Sequence, residues 1–281
     1  MNKIAKRLLV FFIGVPVILI LVFFKTFNHL PLNIAVIIAA LIAVQELYII
    51  IKERIEVQPL WIVFLLTFLV TFASLLENSF KISSKWLTLI YVFSILFSLI
   101  WEIIENNKTG NFSNVITRVA TTIFIIFYIP FLLTFISKLT ILTYSREFLV
   151  LFFLLVFGCD SFAWLFGVLF GKTSRGVIAV SPNKSLAGFI GGILSSIAIS
   201  YVFSLFFPAI FMHYSLKVCI TGFCTAIAAV AGDLAESGLK RSANVKDSGT
   251  IMPGRGGLLD SIDSILFAAP VYYILILFFF V

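Results

Sequence analysis

The run FLVLFFLLVFG, Phe148 to Gly158, decides the fold. It carries no charge and, continued to Phe170, gives an apolar segment long enough to cross a bilayer, which takes about 20 residues of helix. Asp160 interrupts it near its middle. Similar runs recur along the chain, among them LLVFFIGVPVILILVFF, residues 8–24. The 281 residues are 61% hydrophobic and 12% charged, include 33 phenylalanines and have a mean hydropathy of +1.15. One soluble core of this size cannot hide that much apolar surface. The sequence therefore predicts an all-α polytopic membrane protein, residues 1–281 forming a single integral-membrane domain.

Polar punctuation divides it into about nine transmembrane helices, near 8–24, 32–51, 60–76, 86–104, 115–136, 148–170, 186–207, 217–240 and 262–280. Five lie in 1–147 and four in 148–281, the latter with polar loops at 171–185 and 241–261. The basic start MNKIAKR precedes an apolar run too long for a signal-peptide core, without a small-residue cleavage site, and reads as a retained first helix. Cys159, Cys219 and Cys224 all sit in apolar runs without metal-ligand spacing, which predicts buried, inert thiols. The net charge of +7 is scattered between spans rather than clustered, so it fits loop anchoring and not nucleic-acid binding. With a cytoplasmic N-terminus, only Lys25, Lys81, Lys85, Lys138, Arg146 and Lys217 of the 20 Lys and Arg fall outside. That bias predicts an N-terminus in the cytoplasm and both polar loops facing it.

All five aspartates lie in the second half: Asp160, Asp233, Asp247, Asp260 and Asp263. An acid within the hydrocarbon layer is costly, so each marks a functional position by default. In AVAGDLAESGLKR, Asp233, Glu236, Ser237 and Lys240 share one helical face. In DSIDS, Asp260 and Asp263 share the first turn of the last span, where helix capping also accounts for Asp260. If these two spans are neighbours, Asp233, Glu236, Asp260 and Asp263 make an all-oxygen set suited to Mg²⁺, which takes one or two carboxylates plus substrate phosphates. His29 and His213 fall on the predicted outer side.

Between the acids lie Gly249, Gly254, Gly256 and Gly257 with Lys246, Pro253 and Arg255. Glycines let backbone N–H groups approach phosphate, and arginine grips it in a bidentate fork. Acids for metal together with glycines and cations for phosphate predict metal-assisted phosphoryl or nucleotidyl transfer. Upstream, SPNKS brings Ser181 and Lys184 to a helix entrance, either as an anion site or as a turn and N-cap. Glu102 and Glu105 are expected to be solvated at the cytoplasmic end of the fourth span. Glu46 is expected to pair across the bundle or to touch the site.

The stretch GDLAESGLKRSANVKDSGTIMPGRGGLLDSIDS, 232–264, resembles the signature of the phosphatidate cytidylyltransferase (CDP-diacylglycerol synthase) family. That pattern runs S-x-x-K-R, four residues, K-D-x-G, then P-G-H-G-G-x-x-D-R-x-D. Ser237, Lys240, Arg241, Lys246, Asp247, Gly249, Pro253, Gly254, Gly256, Gly257, Asp260 and Asp263 fall in register. DSFAWLFGVLFGK and SPNKSLAGFIGG are similar to the family's upstream motifs, so the resemblance covers at least 160–264. Arg255 stands where the family usually has His, Ser261 where it usually has Arg, and SLAG where Trp and Glu are usual.

The resemblance implies transfer of CMP from CTP to phosphatidate at the cytoplasmic face of a bacterial inner membrane, giving CDP-diacylglycerol and pyrophosphate. It implies Asp233, Asp260 and Asp263 as Mg²⁺ ligands, with Glu236 beside them and Lys240 acting on the reacting phosphates. A second, monovalent cation and a homodimer are compatible with it. Arg241, Lys246, Arg255, Lys184 and Ser181 would hold phosphates together with Gly249, Gly256 and Gly257, and Ser237 and Asp247 would lie close by. The alternatives are a CTP-dependent lipid-alcohol kinase or, from a different class, a cation-coupled secondary transporter. Transporters often carry broken helices in both halves, whereas here the acids and glycines occupy one half.

Overall fold

The computed structural model of the chain describes residues 3–107, 110–212 and 214–281, with side chains from Phe12 onward. The side chains of Lys3, Lys6, Arg7, Lys108 and His213 lie outside the described residues. The helices are α1 (Lys3–Phe23), α2 (Leu30–Lys52), α3 (Leu60–Phe80), α4 (Lys85–Asn107), α5 (Val115–Ile126), α6 (Leu132–Leu139), α7 (Ser145–Phe170), α8 (Leu186–Phe206), α9 (Pro208–Phe211), α10 (Ser215–Ser242) and α11 (Leu259–Phe280). There is no β-strand among the described residues. Among the described residues, eight helical segments are long and apolar enough to cross a membrane: α2, α3, α4, the continuous Val115–Leu139, α7, α8, α10 and α11. The first predicted span, 8–24, falls on α1, whose described apolar part is Phe12–Phe23. The protein is an all-α integral membrane protein.

Boundaries shift where polar residues find partners inside the bundle. The sequence ends the third span near 76, yet α3 continues to Phe80. Asn78 donates to the carbonyl of Ser74 one turn back, and Asn33 of α2 donates to Ser79 Oγ at 2.9 Å, so this polar turn is paid in hydrogen bonds. In Val115–Leu139, Pro130 lacks an N–H and would crowd the preceding turn. The helix absorbs it as a π turn at Phe127–Phe131.

The chain packs as two compact units. The first comprises Met1–Ile141 and Ser242–Ser261. In it, Ile62, Leu66, Val70 and Ala73 of α3 pack with Leu87 of α4 and Ile126 of α5, and Trp61 meets Trp101 edge to face at 4.9 Å. At the end where α2 and α4 finish, Glu102 is 2% exposed. It takes hydrogen bonds from Gln58 Nε2 (2.9 Å), Asn106 Nδ2 (2.8 Å) and Arg118 (3.1 Å). The expectation that Glu102 is solvated is therefore corrected: three donors from a loop and two helices replace its water. Glu105 is exposed, as expected. Arg118 also binds Glu56 in the α2–α3 loop, and this hydrogen bond holds the Glu56 carboxyl below the usual carboxylate range.

The second unit comprises Leu142–Arg241 and Ile262–Val281. Lipid tails are as apolar as leucine, so its helices associate through close packing rather than expulsion of water. A Cβ on Gly192 of α8 would lie 2.9 Å from the Cys159 carbonyl of α7, and one on Gly232 of α10 would lie 2.5 Å from the Asp263 carbonyl of α11. The buried Tyr272 hydroxyl of α11 donates to the Phe148 carbonyl at 2.8 Å. Cys159 is buried as expected, whereas Cys219 and Cys224 are half-buried; all three are free thiols.

Candidate active site

The site residues divide between the units, each with its own construction. In the first unit they belong to the segment between α10 and α11. Here MPGRG, residues 252–256, closes into a tight hairpin, with Met252 N–H donating to the Gly256 carbonyl at 2.8 Å and Arg255 N–H returning to the Met252 carbonyl at 3.1 Å. Gly254 at φ 78° and Gly256 at φ 116° adopt conformations that side chains resist. Arg255 sits in this hairpin with its side chain exposed, as are Lys246 and Asp247 before it. The two cations, Lys246 and Arg255, can meet a solvated anion.

The interior of the loop is organised by two carboxylates. Oδ2 of Asp260 accepts from Ser248 N–H (2.8 Å), Ser248 Oγ (2.9 Å) and Gly257 N–H (2.7 Å). Glu46, 5% exposed in α2, accepts from Leu258 N–H (2.9 Å), Leu259 N–H (2.8 Å) and Ser248 Oγ (3.1 Å). Leu258 and Leu259 supply amide donors at the start of α11, which no preceding helical turn can satisfy. A carboxylate from another helix, more than 200 residues away, does so instead. The space a Cβ would need at Gly249, Gly256 and Gly257 is filled by oxygens of Glu46, Asp260 and Ser248. These glycines admit the protein's own carboxylates.

In the second unit the acids are gathered by α7, α10 and α11. Asp263 of α11 is 7% exposed, and the charges acting on it most strongly are Asp233, then Asp160, then Glu236. Asp233 is ion-paired with Lys184 from the α7–α8 loop, and Glu236 with Lys240 one turn along α10. Ser185, next to Lys184, caps α8 by accepting from Gly188 N–H at 3.1 Å. The turn and N-cap expected of SPNKS are thus present, and its lysine is turned to an acid of the protein. Ser181 closes the turn before Lys184 by accepting from the Lys184 N–H at 3.1 Å. Arg241 donates to the Val180 carbonyl at 3.4 Å, tying the same loop to the end of α10. Ser237 is buried one residue after Glu236.

Of the four acids predicted to share a metal, Asp233, Glu236 and Asp263 lie together in this unit, with Asp160 added. Asp260 belongs to the loop of the first unit. Among the described residues no three His, Cys, Asp or Glu side chains are grouped to hold an ion as they stand. Asp233 and Glu236 are turned to lysines. The chemistry of the donor set nevertheless suits a divalent cation, since every candidate ligand is a carboxyl oxygen. Sequence reasoning left Asp160 without a role and passed over Ser248. An acid in the middle of an apolar helix was the available signal for the first. Nothing in the sequence distinguishes Ser248 from a spacer.

An apolar groove of about 620 Å³ runs between α7 and α8, lined by Leu154, Phe162, Phe166, Leu194, Val202 and Phe206 among others. Phe162 lies two residues from Asp160, whose own side chain is exposed.

The profile of the cytidylyltransferase family matches residues 5–279. Three relatives are proteins named phosphatidate cytidylyltransferase. The one from Staphylococcus epidermidis is 40% identical over 131 residues, 47% of this chain and 49% of that protein. Those from Staphylococcus haemolyticus and Staphylococcus aureus are each 40% identical over 128 residues, 44% of this chain and 47% of theirs. The chain thus spans about half the length of the curated relatives it matches. With the profile matched from its fifth residue almost to its end, the chain belongs to the cytidylyltransferase family.

Proposed function

We propose that the protein transfers CMP from CTP to phosphatidate at the cytoplasmic face of a bacterial membrane. The observation that carries this reading is the gathering of Asp160, Asp233, Glu236 and Asp263 with Lys184 and Lys240 among membrane-spanning helices. A chain has little structural reason to place such a set there. The names of its relatives agree with it, and the distribution of Lys and Arg supports a cytoplasmic position for this end of the helices, where CTP is found.

In the reaction, a phosphate oxygen of phosphatidate attacks the α-phosphorus of CTP. The bond from that phosphorus to the β-phosphate oxygen breaks, and pyrophosphate leaves. A phosphate monoester has a second pKa near 6, so the nucleophile is already anionic at neutral pH and needs no general base. The barrier is charge repulsion and alignment, which fixed cations lower. Lys184 and Lys240 are positioned to exchange their acids for phosphate oxygens. Lys246 and Arg255, exposed on the loop, are cations suited to phosphate, as is Arg241 at the end of α10. Asp233 and Asp263 would hold Mg²⁺, with Asp160 and Glu236 adding negative charge. Bound there, the ion would offset the charge of the phosphates as they come together.

The acyl chains stay in the bilayer, and the groove between α7 and α8 accommodates one of them. Ala198→Trp would fill this groove. It is expected to raise KM for long-chain phosphatidate roughly tenfold and to leave a short-chain, micelle-dispersed phosphatidate within about twofold. Equal effects on both would remove the groove from the substrate path. The function itself is tested with purified protein in detergent. Pyrophosphate release should require CTP, phosphatidate and Mg²⁺ together. Release without phosphatidate, or ion uptake into vesicles with no turnover, would overturn it.

A further inference from the structure

We propose that Glu46 is the positioning residue of the α10–α11 loop, and that Gly249 is a glycine because Glu46 lies against it. Three observations within the first unit support this. Glu46 is buried in α2, yet it ends on three donors of a segment more than 200 residues away: the amides of Leu258 and Leu259 and the hydroxyl of Ser248. Gly249 has no positive φ, so its backbone would accept alanine. A Cβ there would lie 2.7 Å from Glu46 Oε1, 3.0 Å from Cδ and 3.3 Å from Cγ, and those are its three nearest atoms. The nearest obstacle to a side chain at 249 is Glu46.

The arrangement also divides labour between the two loop carboxylates. Ser248 Oγ carries one proton and lies within hydrogen-bond reach of both Glu46 Oε2 and Asp260 Oδ2. It links the α2 carboxylate to the one at the start of α11. Glu46 therefore sets the shape of the loop between Ser248 and Leu259, which displays Arg255. It touches no reacting atom in this role. Glutamine cannot replace it, because an amide would turn N–H groups towards one of the two leucine N–H donors.

The first test reads the loop without reference to activity. Amide hydrogen exchange in the full-length protein should show residues 248–259 opening roughly tenfold faster in Glu46→Gln than in the unaltered chain, with α3 unchanged. The second is a double-mutant cycle on turnover, which rests on the proposed cytidylyltransferase reaction. Gly249→Ala alone should lower kcat roughly tenfold with KM for phosphatidate little changed, and should cost less than about twofold in a Glu46→Ala background. Ser248→Ala, which removes the bridge but leaves Glu46, gives a milder lesion of the same exchange pattern should Glu46→Ala fail to fold. Unaltered exchange in both Glu46→Gln and Ser248→Ala would overturn the proposal, as would a Gly249→Ala penalty that is the same with and without Glu46. Inactivity of the unaltered protein, with the exchange result intact, would instead count against the reaction.

Discussion

Asp263→Asn is expected to lower phosphatidate-dependent pyrophosphate release roughly a thousandfold while leaving the fold intact. The substitution is nearly isosteric and sits at a residue that is only 7% exposed. It removes the ionisable carboxyl from a group whose strongest electrostatic neighbours, Asp233, Asp160 and Glu236, are all acids. Relief of that repulsion favours the folded protein, so the melting temperature in detergent should hold or rise. Activity and stability therefore move in opposite directions, as they do when repulsion is maintained for binding and not for packing. Loss of both together would mean that Asp263 is a structural residue. Retention of activity within about threefold would remove it from the site.

The second large effect is expected at Lys184. Its ammonium group pairs with Asp233 from a loop outside the helices, which lets it move to a phosphate when substrate arrives. Lys184→Ala should lower kcat/KM for CTP roughly a hundredfold, since a charge-assisted hydrogen bond to an anion is lost. It also removes one positive charge from beside Asp233. The Mg²⁺ concentration giving half-maximal rate should therefore fall, even as the rate itself drops. A titration of rate against Mg²⁺ in both proteins checks this. A rise in the Mg²⁺ requirement would contradict the assignment of Asp233 as a metal-facing acid held by Lys184.

How much of this was readable in the sequence depends on the distance over which each feature is determined. Helices and their number follow from apolar runs, because a bilayer imposes the same length and backbone satisfaction on every span. The face shared by Asp233, Glu236 and Lys240 follows from helical spacing alone, and the Glu236–Lys240 ion pair agrees with that register. Features set by tertiary partners were less accessible. Glu102 read as a solvated helix end until Gln58 and Arg118 came into view. The α10–α11 glycines read as space for phosphate. The structure fills that space at Gly249, Gly256 and Gly257 with Glu46 and Asp260, and the first of these carboxylates comes from a helix that no local pattern connects to the loop. Arg255 and Ser261, which depart from the usual signature, remain compatible with the loop: one is exposed in its hairpin and the other makes only local contacts in the first turn of α11.

The central claim is cytidylyl transfer to a lipid phosphate, and the most direct measurement follows the phosphorus atoms of CTP. Purified protein is incubated with phosphatidate, Mg²⁺ and CTP labelled at either the α- or the γ-phosphorus, and the lipid is extracted. The account predicts label in the lipid from α-labelled CTP only, with the γ-label recovered as pyrophosphate. Transfer of the γ-label to a lipid alcohol would identify a kinase and contradict it, as would a lipid fraction free of both labels.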